Sequence, residues 1–401
     1  MSSSKPRDLS RFGPGTRLVH AGRDPASQHG FVNTPIYRGS TVLFPSYDDL
    51  QHRRARYSYG TVGTPTVDAL TEAWSEIAGA AGTVATPSGL AALSVALMAS
   101  VSAGDHLLVT DSAYRPTRQF CDGVLARYGV EITYYDPLAG AGIAALMREN
   151  TRAVLVEAPG SQSFEMQDVP AIAEAVHARG AENGKGATVI MDNTWATPLL
   201  FPPHERGVDI AVEAGTKYLS GGSDLLLGLT SANKAHWPAL RRTYDHFAMC
   251  PGPEDVFLAL RGLRTMALRL SEHGRRGLEM ARWLQARPEV LRVLHPGLPD
   301  DPGHAIFTRD FAGASGLFGV ILKPVPERAV AAMLDGLELF GMGFSWGGFE
   351  SLVIPFDCTV YRTATRWAPG GPALRFHIGL EEPEDLKADL EAGFARLREA
   401  T

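Results

Sequence analysis

Between residues 61 and 255 the chain repeats one unit, a short unbroken apolar run followed by a stretch of helical spacing. The apolar runs fall at 106–110, 131–135, 153–157, 187–191, 210–212 and 225–230. They are too short for helices and lack the polar alternation of a half-exposed strand. They therefore predict strands buried on both faces, and hence an α/β fold with a parallel or mostly parallel sheet covered by helices. Helical spacing at 66–77, from Ser88-Gly89 onward, at 115–128 and at 169–179 supplies that cover. Ligands in such sheets sit beyond the carboxyl ends of the strands, so the residues that follow each run are the ones to examine.

After Pro251-Gly252-Pro253 the pattern changes. Two helical runs, 254–273 and 274–286, lead into apolar stretches at 291–294, 316–322, 351–354 and 373–378, with helices at 329–337 and 383–399. This order predicts a smaller C-terminal α+β domain. Residues 1–60 lack periodic segments but carry Phe31, Tyr37, Phe44, Tyr47, Tyr57 and Tyr59, too aromatic for a disordered tail and suited to an arm that packs on something else. A chain of 401 residues exceeds one ordinary core. The expected division is an N-terminal arm at 1–60, a large domain at 61–255 and the small domain at 256–401.

Composition narrows the partners. Thirty-eight basic against 44 acidic residues give a net charge of −6, which argues against nucleic acid or an anionic membrane surface. The longest apolar run, 90–101, is broken by Ser94 and Ser100 and is too short to span a bilayer, and the N-terminus has no apolar leader. Three widely spaced cysteines build no disulfide framework and fit a reducing cytoplasm. Twelve histidines without an HxxxH spacing predict no zinc site.

Several strand-end residues carry possible chemistry. Lys217 lies between the 210–212 run and the glycine-rich Ser220-Gly-Gly-Ser-Asp224. It reads either as a surface lysine or as an amine held where the backbone approaches a ligand, carrying a cofactor as a Schiff base. Asp192 directly follows the 187–191 run and either caps the next turn or faces a cleft. Ser88-Gly89 opens a helix, as a serine N-cap or as an anion site made of free N–H groups. Tyr114 follows another run and either packs in the core or stacks on a flat ring. Arg375 lies within a strand pattern and demands a carboxylate, internal or from a substrate. Ser345-Trp346-Gly347-Gly348 is a plain turn or a substrate-facing loop.

The order of these elements, with Asp192-Asn-Thr-Trp-Ala-Thr-Pro198 and Thr216-Lys-Tyr-Leu-Ser-Gly-Gly-Ser-Asp224, resembles the Cys/Met-metabolism family of pyridoxal-phosphate enzymes from about Thr16 to the last helix. The resemblance implies the aspartate-aminotransferase type of fold with pyridoxal 5'-phosphate as cofactor. By it, Lys217 is the Schiff-base lysine and proton-transfer base, Asp192 the partner of the pyridinium nitrogen, and Tyr114 the stacking and catalytic ring. Ser88, Gly89, Leu90 and Thr216 hold the phosphate, helped by Tyr59 and Thr61 of a neighbouring subunit's arm. Arg375, Ser345 and Trp346, with Tyr59 and Tyr114, bind the substrate, and Tyr59 also takes part in catalysis. The resemblance further implies a homotetramer built as a dimer of dimers with shared active sites. Ser345-Trp346 and Glu157-Ala-Pro-Gly-Ser161 resemble the β-lyase form, so α,β-elimination from cystathionine or another S-substituted cysteine is expected. The alternatives are a γ-acting relative (γ-synthase, γ-lyase or sulfhydrylase), an aminotransferase, or a cofactor-free binding protein. Three positions depart from the family pattern: Thr61 replaces an arginine, Ala214 a serine and Gly222 a histidine.

Overall fold

The computed structural model describes residues 8–182 and 186–401; the reading that the N-terminus has no leader rests on residues 1–7, outside that range. The first sheet contains β1 (Gly82–Thr86), β2 (His106–Thr110), β3 (Glu131–Tyr135), β4 (Thr151–Glu157), β5 (Thr188–Asp192), β6 (Ile210–Ala214) and β7 (Gly228–Ala232). Their spatial order is β1-β7-β6-β5-β4-β2-β3. The pairs β6/β5, β5/β4, β4/β2 and β2/β3 are parallel, whereas β7 runs antiparallel to β6, and β1 to β7. The mostly parallel sheet expected from the apolar runs is thus present.

Its two faces are covered for the reason the apolar runs imply. On one side Val109, Leu155, Ile190, Ile210 and Val212 pack on Ala92, Leu93, Val95, Ala96 and Leu97 of the helix Gly89–Met98. On the other, Val154, Val156, Val189, Met191 and Ala211 pack on Val169, Ile172, Ala173 and Val176 of the helix Val169–Glu182. Each fully buried aliphatic side chain contributes about 1.5–3 kcal/mol of transfer free energy, which outweighs strand or helix propensity in fixing this layer order.

The second sheet, entirely antiparallel, has the order β10-β11-β9-β8, with β8 (Val290–Leu294), β9 (Leu317–Leu322), β10 (Leu352–Phe356) and β11 (Ala373–His377). One side packs on the helices Glu327–Asp335 and Pro383–Glu399 through Phe318, Val320, Phe376, Met333, Leu390 and Phe394.

Four elements depart from the sequence reading, three of them for evident physical causes. The runs expected at 254–273 and 274–286 form one helix, Pro253–Gln285. Gly274 is not a break; a Cβ there would lie 2.1 Å from the Ala314 carbonyl oxygen, so glycine serves close approach of the helix to the chain entering β9. Strand β1 gives little signal because Gly-Thr-Val-Ala-Thr has few large apolar side chains, although all five positions are buried. The helix Trp237–Phe247 was also not expected, since it buries only Leu240 and Tyr244. The expected helix at 115–128 is a short α-helix, Arg115–Phe120, followed by a wider turn and a tighter one.

In the arm, Leu18 and Ala21 are buried against the helices Pro65–Ala78 and Pro253–Gln285, and Arg264 donates to the carbonyls of Leu18 (2.6 Å) and Ala21 (2.9 Å). Farther along, Phe31, Val32, Leu43 and Tyr47 are exposed.

Candidate active site

Four neighbouring strands of the first sheet, β6, β5, β4 and β2, end side by side, and each end carries a side chain suited to chemistry. Beyond β6 the chain turns into Lys217; Asp192 closes β5, Glu157 closes β4, and Asp111 to Tyr114 follow β2. Asp192 and Glu157 are register partners. The strand-end logic therefore places Lys217, Asp192 and Tyr114 on one edge, as the sequence implied, and adds Glu157, which that reading passed over as a site residue.

Lys217 Nζ donates to Ser345 Oγ at 2.6 Å and lies 5.3 Å from the centre of the Trp346 ring system. The main-chain carbonyl of the same Ser345 accepts from Arg375 Nη2 at 3.0 Å. Ser345 thus bridges the lysine and the arginine, and it does so with φ +88°, a left-handed conformation that costs a serine on the order of 1 kcal/mol or more and persists where surroundings impose it. Gly347 has φ +84°, and a Cβ there would lie 2.9 Å from the Tyr218 nitrogen. The Gly347-Gly348 pair is therefore what lets this loop press against the Lys217 backbone. From the other side, Arg269 donates to the carbonyls of Tyr218 (2.7 Å) and Leu219 (3.1 Å). Nothing in the sequence pattern singled Arg269 out.

The electrostatics follow from burial. Desolvation and the Arg375 charge lower the Lys217 pKa to about 8, against the opposing pull of Asp192. Burial raises the Asp192 pKa, although Thr194 donates to its Oδ1 through both N–H (3.0 Å) and Oγ1 (2.6 Å). Asp192 Oδ2 accepts no hydrogen bond among the described residues. Glu157, raised by burial and by Asp192, accepts the Tyr114 N–H at 2.7 Å. Glu213, on β6, is 2% exposed with neither carboxylate oxygen hydrogen-bonded, and burial favours its protonated form. Arg375 is lowered to about 10 by burial and makes no ion pair among the described residues. The carboxylate that Arg375 demands is thus not supplied by the described residues. Tyr114, 44% exposed, keeps a ring surface open to a ligand.

The ten-residue helix Gly89–Met98 points its N-terminus at this edge. A Cβ on Gly89 would lie 2.7 Å from the Ala214 Cβ, so glycine is required for the helix to abut the end of β6. Ser88 Oγ caps the helix by accepting from Ala91 N–H at 3.1 Å, leaving the N–H groups of Gly89 and Leu90 for an anion. The Thr216 hydroxyl accepts from Leu227 N–H at 3.1 Å and so closes the lysine turn. Tyr59, which bridges Thr41, and Thr61 make no hydrogen bond to the Lys217 cluster among the described residues. Among those residues no group of His, Cys, Asp and Glu is placed to hold a metal, and no helix is long and apolar enough to cross a membrane.

This donor set fits pyridoxal 5'-phosphate: an amine with a lowered pKa, a half-buried carboxylate with one free oxygen, an exposed aromatic face, and a helix N-terminus for the phosphate. A direct check is available on the cofactor-free protein. Uptake of the aldehyde cofactor requires neutral Lys217, so its rate is expected to rise about tenfold per pH unit and level off near pH 8. Stopped-flow absorbance measures this; a plateau only above pH 10 would mean an ordinary solvated lysine.

Comparison with known proteins agrees with this chemistry. A family of Cys/Met metabolism PLP-dependent enzymes matches residues 15–395. The chain is 51% identical to a putative cystathionine beta-lyase of Rhizobium johnstonii, over 96% of this chain and 97% of that one. It is 39% identical to cystathionine beta-lyase MetC of Escherichia coli, over 95% and 98%. The crystal structure of cystathionine gamma synthase from Xanthomonas oryzae pv. oryzae in complex with cystathionine superimposes with a TM-score of 0.88 at 30% identity, over 97% of this chain and 100% of that chain.

Proposed function

The chain belongs to the Cys/Met metabolism PLP-dependent enzyme family, and from that premise we propose that it is a carbon–sulfur β-lyase that cleaves cystathionine, with water, to homocysteine, pyruvate and ammonia. The observation that carries the reading is the Lys217–Ser345–Arg375 bridge, which sets a base beside a half-buried arginine that has no carboxylate partner among the described residues. The higher identity to β-lyases than to the γ-synthase favours β- over γ-elimination.

In this reading Lys217 anchors the cofactor, Asp192 holds its ring nitrogen, Tyr114 covers its face, and the N–H groups of Gly89 and Leu90 hold its phosphate. The bound cofactor supplies an electron sink for negative charge developed at the substrate Cα. Arg375 fixes the substrate α-carboxylate through the guanidinium N–H groups that Ser345 leaves free. Lys217 Nζ would take the Cα proton; its lowered pKa makes it a base near neutral pH. The Ser345 hydroxyl restrains that amine beside the reacting carbon, and the Trp346 face shields it from water. Loss of the thiolate from Cβ completes the elimination, and the remaining imine hydrolyses to pyruvate and ammonia.

Truncating Arg375 tests the binding half of this scheme. Arg375→Ala is expected to lower kcat/KM about 10²-fold, chiefly through KM, whereas Arg375→Lys recovers part of the loss. Steady-state kinetics of pyruvate release measure both. Reaction class is tested by stoichiometry: ammonia and pyruvate in equal amounts support a lyase, and conversion of the cofactor to its amine form without ammonia identifies an aminotransferase.

The division into arm, large domain and small domain at residues 60 and 255 belongs to the same proposal. So do a homotetramer with shared sites and a cytoplasmic setting. The exposed Phe31, Leu43 and Tyr47 of the arm support a neighbour seated there, with Tyr59 and Thr61 serving that neighbour's site. The free thiols of Cys121, Cys250 and Cys358 support a reducing compartment.

A further inference from the structure

The wall of the site beyond Tyr114 is built from the helix Arg115–Phe120, the 157–165 segment that follows β4, and the 357–365 loop that follows β10. Three arginines lie in it. Arg118 and Arg362 are committed: Arg118 donates to Asp111 at 2.9 Å, and Arg362 to Asp111 at 3.3 Å and Glu165 at 2.9 Å. Arg115 is different. It is exposed, and among the described residues it makes neither an ion pair nor a side-chain hydrogen bond. Among those residues its side chain faces the Tyr361 ring, whose centre lies 5.8 Å from the guanidinium carbon. That ring is held in place, since the Tyr361 hydroxyl donates to Gln162 Oε1 at 2.9 Å and its carbonyl accepts from Arg118 at 2.6 Å. A guanidinium resting on an anchored ring loses fewer orientations when it meets a planar anion than one swinging in solvent.

We propose that Arg115 is a specificity-determining residue, recognising a second, distal carboxylate on the leaving-group side of the substrate. The inference rests on the β-lyase reading and names its substrate class, thioether amino acids whose departing thiol carries its own carboxylate. The α-carboxylate is taken by Arg375 at the centre of the site, so a second carboxylate on the same molecule needs a separate cation. On this wall Arg115 is the arginine not already held by a carboxylate. Its neighbour Tyr114 fixes the location: the Tyr114 N–H is tied to Glu157 at the end of β4, so the Arg115 main chain is tethered beside that strand end, and its side chain is exposed. The other nearby acid, Glu165, is bound by Arg362 and does not compete.

The test compares L-cystathionine, which has the distal carboxylate, with S-methyl-L-cysteine, which lacks it. The ratio of their kcat/KM values is measured for the wild-type holoenzyme and for Arg115→Ala, Arg115→Lys and Arg115→Glu. The ratio is expected to fall about tenfold in Arg115→Ala, further in Arg115→Glu, and less in Arg115→Lys, and the wild-type ratio to shrink with added salt. An unchanged ratio in both Arg115→Ala and Arg115→Glu overturns the proposal, as does a parallel loss on both substrates, which marks a structural role. A wild-type enzyme that releases pyruvate from neither substrate overturns the β-lyase reading, and this inference with it; cleavage of both with an unchanged ratio removes the inference alone.

Discussion

Lys217→Ala is expected to lose pyruvate release by about 10³–10⁴-fold and, with it, the visible absorbance of lysine-bound cofactor. The size of the effect follows from the two tasks that converge on one atom. Nζ would both hold the cofactor and move the Cα proton, and among the described residues no second lysine bonds to Ser345 or Arg375 beside it. Arg375, whose pKa is lowered only to about 10, stays charged and serves neither task at neutral pH. The variant should still fold, because Lys217 contributes one side-chain hydrogen bond, to Ser345, while the turn around it is held by Arg269 and by the Thr216–Leu227 contact. Unchanged far-ultraviolet circular dichroism with the absorbance band gone is the predicted pair of results. Activity within tenfold of wild type would mean that the proton is moved by another group.

Asp111→Ala is expected to have the largest effect on stability, about 3–5 kcal/mol, because it leaves the buried Arg118 guanidinium without a carboxylate and removes one of the two that Arg362 has. Asp111 is fully buried after β2 and accepts from Arg118, Arg362, Thr363 N–H (2.9 Å) and Thr365 through N–H and Oγ1 (2.8 Å each). Arg118 and Arg362 are themselves almost inaccessible. The cluster ties the loop after β10 to the segment that carries Tyr114, so its loss should also loosen the cofactor. Urea unfolding with and without bound cofactor measures both effects. The same carboxylate sets an acid dependence. Burial opposes its ionisation, but the hydrogen bonds from Thr363, Thr365 and Ala364 prevail and hold its pKa at about 2, below the ordinary 3.8. A depressed pKa stabilises the fold above the unfolded value, and that stability is lost as pH falls from about 4 toward 2. In Asp111→Asn this segment of the acid-unfolding profile should flatten.

What could be read from the chain and what could not divide along physical lines. The apolar runs locate six of the seven strands of the first sheet, because strands packed between helices favour large apolar side chains; β1, buried throughout but built of Gly-Thr-Val-Ala-Thr, gives no such run. Strand-end logic then found Asp192 and the approach to Lys217. The same logic applied equally to Glu157, which was passed over because its carboxylate sits in a segment read for its proline and glycine. The Asp111–Arg362 pair was out of reach: its members are 251 positions apart, and the 357–372 loop has no periodicity to place it. Glycine misled once, at Gly274, where close packing against Ala314 rather than a chain break explains the residue. Thr216, which the resemblance places at the phosphate, uses its hydroxyl in the turn to meet Leu227, a contact between positions 11 apart that no local pattern announces.

The most direct test of the central claim, β-elimination organised by Lys217, is to identify the keto acid formed from L-cystathionine by the purified, cofactor-loaded enzyme. Proton magnetic resonance distinguishes the candidates by their methyl signals. Pyruvate, formed together with homocysteine and absent with Lys217→Ala, is the predicted result. 2-Oxobutyrate with cysteine would contradict it, placing bond cleavage at Cγ instead of Cβ.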